Sequence, residues 1–166
     1  FTASVYYKKL WHIIPFEIDN LQIIYLNENN AHGYAAGLDF KLFGEFVPGV
    51  DSWISLSLLK TQEDIEGDNH GYIPRPTDRR VNGSIFFQDY FPKNPNYKMQ
   101  LSLIYGSGLP YGAPNSERFQ QTARIPSYKR VDIGLSRVIK KEGSVSQVKF
   151  INYFKSIWAS IEVFNL

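Results

Sequence analysis

Apolar and polar residues trade places at every step over long stretches of this chain, and only an extended strand sorts such a series onto two faces. Over 97–106, Tyr97, Met99, Leu101, Leu103 and Tyr105 fall on one side, with Lys98, Gln100, Ser102 and Gly106 on the other. Over 128–140, Val131, Ile133 and Leu135 alternate with Asp132, Gly134 and Ser136. Residues 156–164 set Ile157, Ala159, Ile161 and Val163 against Ser156, Ser160 and Glu162, with Trp158 and Phe164 on the more polar side. Residues 37–46 set Leu38, Phe40 and Leu42 against Asp39, Lys41 and Glu45. Residues 53–60 and 81–90 repeat the pattern with more noise, and 1–10 is an aromatic-rich strand. A break at Asn27–His32 leaves 21–46 readable as one strand or two, so the expectation is about seven or eight strands and no helix.

The links between these strands alternate in length. Val47–Asp51 and Phe91–Asn96 are short turns, whereas Thr61–Asp78 and Ser107–Ser127 are long polar loops. A bacterial outer-membrane barrel has short periplasmic turns and longer extracellular loops. On that pattern 47–51, 91–96 and 141–152 face the periplasm, and 11–20, 61–78 and 107–127 face outward. Aromatic residues gather where strands meet turns, as in Tyr6, Tyr7 and Trp11, Phe46 and Trp53, and Tyr153, Phe154 and Trp158. Amphipathic rings in those places suit the two girdles of a membrane barrel. The aromatic share of 16% and the absence of cysteine fit strands and turns and exclude disulfides, thiol nucleophiles and cysteine-based zinc sites. A net charge of +2 with no block of like charges gives no sign of a nucleic-acid partner. No apolar run reaches the ~18 residues of a membrane-spanning helix, a test that alternating barrel strands escape.

A barrel in hydrocarbon must close, because an open edge leaves backbone groups without partners. The chain begins and ends within alternating sequence, so the expectation is a single domain over 1–166 that forms part of a larger barrel.

Several segments resemble the C-terminal barrel strands of TonB-dependent receptors. Gly33-Tyr34-Ala35-Ala36-Gly37-Leu38-Asp39 with Gly44-Glu45-Phe46 is similar to a strand entering a tight periplasmic turn, and Trp53-Ile54-Ser55-Leu56-Ser57 to the strand leaving it. Tyr72 to Asn82, with Asp78, Arg79 and Asn82, resembles a loop-to-strand passage at the rim. Gly106-Ser107-Gly108-Leu109-Pro110-Tyr111-Gly112 resembles a family loop start. Tyr128 to Gly134 and Glu162 to Leu166 resemble strands near the receptor C-terminus. The resemblance implies an all-β, antiparallel, up-and-down transmembrane barrel of about 22 strands with a plugged lumen. It further implies the outer membrane of a Gram-negative cell, contact with its lipid, and TonB-energised import of a solute of siderophore, cobalamin or glycan class. The plug, TonB box and closing strand have no counterpart here, so TonB would act through a missing N-terminal region, and a surface lipoprotein is a further conceivable partner.

Candidate ligand contacts on the outward loops and rim are Arg75, Asp78, Arg79, Tyr111 and Arg118. For the Arg75–Arg80 stretch, pairing of guanidinium with carboxylate is the plainer explanation, since it needs no ligand. Glu63, Asp64, Glu66 and Asp68 form an acidic run that lacks the EF-hand spacing and reads as a solvated loop. His12, His32 and His70 are too scattered for a metal site, and no cofactor is expected. Asp39 with Glu45 and Asp132 with Glu162 look like paired carboxylates, yet a polar lumen carries such charges anyway. No nucleophile elbow, triad order or phosphate loop is present, so no enzymatic activity is expected. The alternative from another class is a soluble lipocalin-like barrel, which would turn the same apolar faces inward around a small ligand.

Overall fold

The computed structural model describes residues 1–19 and 22–166. Asn20 and Leu21, on which the expected 11–20 link and the 21–46 question partly fall, lie outside them. The described residues form strands β1 (Thr2–Ile13), β2 (Phe16–Asp19), β3 (Gln22–Tyr25), β4 (Ala31–Val47), β5 (Val50–Ile65) and β6 (Ile73–Pro74). These are followed by β7 (Val81–Phe91), β8 (Asn94–Gly106), β9 (Pro110–Tyr111), β10 (Ala123–Arg124), β11 (Tyr128–Lys140) and β12 (Ile157–Val163). Two short 3-10 turns, Arg118–Gln120 and Lys149–Tyr153, are the only helical turns among the described residues.

The main sheet has eight strands in the order β1-β4-β5-β7-β8-β11-β12, with β6 beside β5. The fold is all-β and antiparallel, and its strand order is a path rather than a closed ring. The 21–46 question resolves into two strands. β3 pairs with β2 in a separate two-stranded sheet, while β4 belongs to the main one. Two differences from the sequence expectation bear on function. β5 runs on to Ile65, so Glu63 and Asp64 stand on a strand rather than in a loop. The connection after β11 extends over 141–156, longer than 141–152.

The chain divides into two compact units. The first comprises Phe1–Lys41, Ser55–Gly83 and Tyr105–Lys129. In it β1 pairs with β4 so that Val5 opposes Leu38 and Ala3 opposes Phe40, while Ser4 opposes Asp39 and Thr2 opposes Lys41. Residues directly opposite each other share a face, so apolar pairs stack on one side of the sheet and polar pairs on the other. Asp39 accepts a hydrogen bond from the Ser57 hydroxyl on the polar side. A small apolar cluster of Ala31, Ile65 and Ile73, joined by Ile13 and Phe119, lies where the long connections begin.

The second unit comprises Leu42–Ile54, Ser84–Ile104 and Arg130–Leu166. Its tight turns follow from residue type. Pro48 supplies a fixed φ and Gly49 adopts φ +83°, the pairing that a type II turn demands, and the Gly49 N–H donates to Glu45 Oε2 at 3.0 Å. The β7–β8 turn places Lys93 at φ +64° after Pro92. β11 and β12 pair Ile133 with Val163 and Leu135 with Ile161 on one face, and Gly134 with Glu162 and Ser136 with Ser160 on the other. Gln100 Nε2 donates to Glu162 Oε1 at 2.8 Å along that polar face, in space left by the missing side chain of Gly134.

Close approach of β4 to β5 depends on Gly33, where an added Cβ would stand 2.2 Å from the Gln62 carbonyl oxygen. At Gly83 the nearest atom to such a Cβ is 3.5 Å away. Gly33→Val is therefore expected to destabilise the sheet by about 1–3 kcal/mol. Gly83→Ala should change it by less than about 0.5 kcal/mol. Urea midpoints of the two variants check the contrast, and equal midpoints would contradict the packing described.

Candidate functional site

Toward the end of β5 the alternation takes on a second purpose. Thr61, Glu63 and Ile65 are all buried, because the connections after β5 and β8 fold over the polar side of the strand there. An anion without water around it must be paired and hydrogen-bonded to be tolerated. Glu63 is fully buried and receives Arg75 Nε at 3.0 Å on one oxygen, and Arg118 Nε and Nη2 at 3.2 and 2.7 Å on the other. Arg75 reaches it because β6 pairs antiparallel with β5, setting Ile73 opposite Glu63. Arg118, itself 5% exposed, comes from the 3-10 turn and also donates to the Pro74 carbonyl at 2.6 Å.

A second buried carboxylate, Asp78, repeats the arrangement. Its Oδ1 accepts the Thr61 N–H at 2.7 Å, and its Oδ2 accepts Arg80 Nε at 2.6 Å and Arg124 Nη2. Arg124 Nη1 donates in addition to the carbonyls of Asp78 and Gly108, at 2.7 and 2.8 Å. Gly108 fits because it has no side chain, an added Cβ there meeting the Ile125 carbonyl. Two carboxylates thus face four guanidinium groups, those of Arg75, Arg80, Arg118 and Arg124. The cluster ties both long connections, 66–80 and 107–127, to one strand.

Of the candidate ligand contacts, Arg75, Asp78 and Arg118 join this cluster, and their charged groups engage internal partners. Arg79 packs its guanidinium in the space above Gly106, and Tyr111 lies exposed on β9. Sequence reasoning passed over Glu63 as a member of a solvated run and did not single out Arg124. The signal for Glu63 was present, since Thr61, Glu63 and Ile65 continue the period of β5 past Lys60. Nothing in the spacing of 107–127 marked Arg124.

The remaining acids do not converge. Asp64 stands 3.8 Å from His32 Nε2, Asp68 accepts the His70 N–H at 2.9 Å, and the His70 ring stacks on Phe119. Among the described residues no group of His, Cys, Asp and Glu is arranged to hold a metal ion.

In each unit a concavity opens on the polar side of its own strands. In the first unit, about 300 Å³ is lined by Thr2, Ser4, Asp39, Ser55, Ser57 and Asn82 among others. In the second, about 500 Å³ is lined by Lys98, Gln100, Ser136, Trp158, Ser160 and Glu162 among others. The apolar residues that alternate with these, such as Leu38, Leu56, Ile133 and Ile161, are exposed.

Removing one partner of a buried ion pair strands the other charge and costs about 3–5 kcal/mol. Glu63→Gln, which keeps the shape and removes the charge, is expected to destabilise by that order. Hydrogen exchange should then quicken across 107–127 while β11 and β12 remain protected, and unchanged exchange in 107–127 would show that Glu63 does not hold that loop. The chain matches no protein-family model, and neither a curated protein nor a solved structure shows significant similarity to it.

Proposed function

We propose that this chain forms part of the wall of an outer-membrane β-barrel of the TonB-dependent receptor kind. Its apolar sheet face would meet lipid, and its polar face would line the pathway of an imported solute. The observation that carries the reading is a register-matched apolar face that stays exposed among the described residues. Ile133 is 48% exposed, its partner Val163 49%, Leu135 44% and its partner Ile161 75%. On β4, β5 and β7 the alternate apolar residues Leu38, Phe40, Leu56, Leu58, Ile85 and Phe87 are exposed as well. Leaving proline and glycine aside, the buried apolar residues among those described are Ala31, Val50, Ile65 and Ile73, too few to be the core of a soluble domain of this length. Single exposed apolar residues are ordinary on a soluble protein, but contiguous rows of them across paired strands mark a surface that meets lipid or another protein.

The aromatic residues of the first unit support the same orientation. Tyr7 stacks on Tyr34 with ring centroids 6.0 Å apart, and Tyr34 meets Tyr72 edge-on at 5.7 Å. Lys9 sits over the Trp11 ring and Lys60 over Tyr34, at 5.1 and 6.0 Å. Rings flanked by long cationic side chains suit the boundary between hydrocarbon and headgroups. In a lipocalin-like barrel the same apolar side chains would enclose a ligand, whereas here Leu38, Leu56, Ile133, Leu135 and Ile161 stand exposed. On the barrel reading the chain would contribute strands to a larger wall, with TonB acting through another part of the protein, and in the second unit the solute would pass along Gln100, Glu162 and their neighbours.

Leu135→Arg separates the two environments. At the surface of a water-soluble domain the change should be nearly neutral, within about 0.5 kcal/mol. Facing the bilayer midplane it should cost about 2–4 kcal/mol. Refolding into phospholipid vesicles, followed by urea titration, is expected to show the larger loss, and a neutral outcome would count against lipid contact at β11.

A further inference from the structure

We propose that the connection between β11 and β12, residues 141–156, is a membrane foot that rests its aromatic side chains on an anionic phospholipid surface. The inference builds on the barrel reading and adds to it a specific lipid contact outside the strands. The connection is far longer than joining two neighbouring strands requires, since Pro48-Gly49 and Pro92-Lys93 each accomplish a turn with two residues in the same unit.

Its length is not slack. Asn152 exchanges two hydrogen bonds with the Ser146 backbone, accepting its N–H at 2.8 Å and donating to its carbonyl at 2.9 Å. The buried Lys140 ammonium donates to the carbonyls of Ile151 and Phe154, at 3.3 and 2.6 Å, and so caps the 3-10 turn Lys149–Tyr153. Several polar groups are thereby engaged within the connection, and large apolar side chains stand exposed beside the lysines. Val145 is 90% exposed, Tyr153 87% and Phe150 68%, with Phe154 edge-on to Phe150 at 5.5 Å. A loop that meets only water seldom gathers so many large exposed apolar side chains in one stretch.

Charge identifies the occupant. Lys141, Lys149 and Lys155 are exposed and Glu142 is the only acid in 141–156, so the segment carries 3 − 1 = +2. Aromatic rings flanked by lysines are the chemistry of a headgroup boundary, and each lysine near an anionic surface strengthens attachment about fivefold.

The chain holds no cysteine, so single-cysteine spin labels report cleanly. The full-length protein carrying Val145→Cys, or Ile161→Cys as a sheet-face reference, is reconstituted in vesicles of phosphatidylethanolamine with phosphatidylglycerol. Both labels are expected to be reached more readily by oxygen than by a water-soluble nickel chelate, with Val145 at the shallower depth. Adding Lys149→Glu and Lys155→Glu, or replacing phosphatidylglycerol by phosphatidylcholine, should turn the preference at Val145 toward nickel and leave Ile161 unchanged. Nickel preference at Val145 in the anionic vesicles, with oxygen preference at Ile161, removes the foot and leaves the wall. Nickel preference at both sites removes the wall, and the foot with it. A Val145 label shielded from both reagents means that a protein segment covers the connection, and indifference to the lysine changes rules out anionic lipid; either result overturns the proposal.

Discussion

Strand register is the constraint on which everything else in this molecule depends. A strand has a side-chain period of two, so a slip by one residue would carry each apolar side chain to the other face. In the first unit, Val5 faces Leu38 where a slipped pairing would set it against Asp39 or Gly37. In the second, Leu135 faces Ile161 rather than Ser160 or Glu162. The polar concavities, the Gln100–Glu162 hydrogen bond and the uncovered apolar rows all follow from that choice. Register itself is held by features that tolerate no shift, among them the Pro48-Gly49 turn and the close passage of Gly33 beneath the Gln62 carbonyl.

A sheet organised in this way lacks the usual source of stability, because few apolar side chains are buried by the chain itself. Backbone ladder hydrogen bonds must carry more of the load, and they do so best where no water competes for the same groups. Where the long connections fold over β5 a different solution operates. Glu63 and Asp78 are out of water, and each would be costly alone. Their oxygens are occupied by guanidinium groups from two separate connections, which turns a desolvation penalty into a demand that those connections take up one shape. Thr61 adds a backbone N–H to Asp78, so the strand takes part in holding its own cover.

The strands were legible in the sequence because their signal is local. β11 was read at its observed bounds, 128–140, β8 and β7 differ from their expected spans only at the ends, and β4, expected over 37–46, begins six residues earlier at Ala31. What alternation alone missed was long-range. The period of Thr61, Glu63 and Ile65 carried β5 onward, but the partners that bury Glu63, Arg75 and Arg118, the latter 55 residues further on, had no local signal. A carboxylate in a run of four acids looks solvated until the guanidinium that buries it is located. Arg124 was invisible for the same reason, its partners Asp78 and Gly108 being brought near by the fold of the 107–127 connection. β2 lies in a stretch expected to be only a link, 11–20, and β3 at the start of the 21–46 stretch; the two pair with each other and not with the main sheet.

This division of labour narrows where recognition can reside on the barrel reading. Arg75, Arg80, Arg118 and Arg124 each pair with one of two carboxylates, although Arg118 Nη1 has no partner among the described residues, so an anionic solute arriving at these connections would compete with ion pairs already held at bonding distance. Exchanging one set of charge-assisted hydrogen bonds for another gives little net gain, and it would loosen the connections that shape the site. The arginine-rich appearance of Arg75 to Arg80 is therefore a poor guide to solute charge. Side chains that keep open surface, such as Tyr111 on β9 and the polar rows on the sheet, can contact a solute without dismantling their own support.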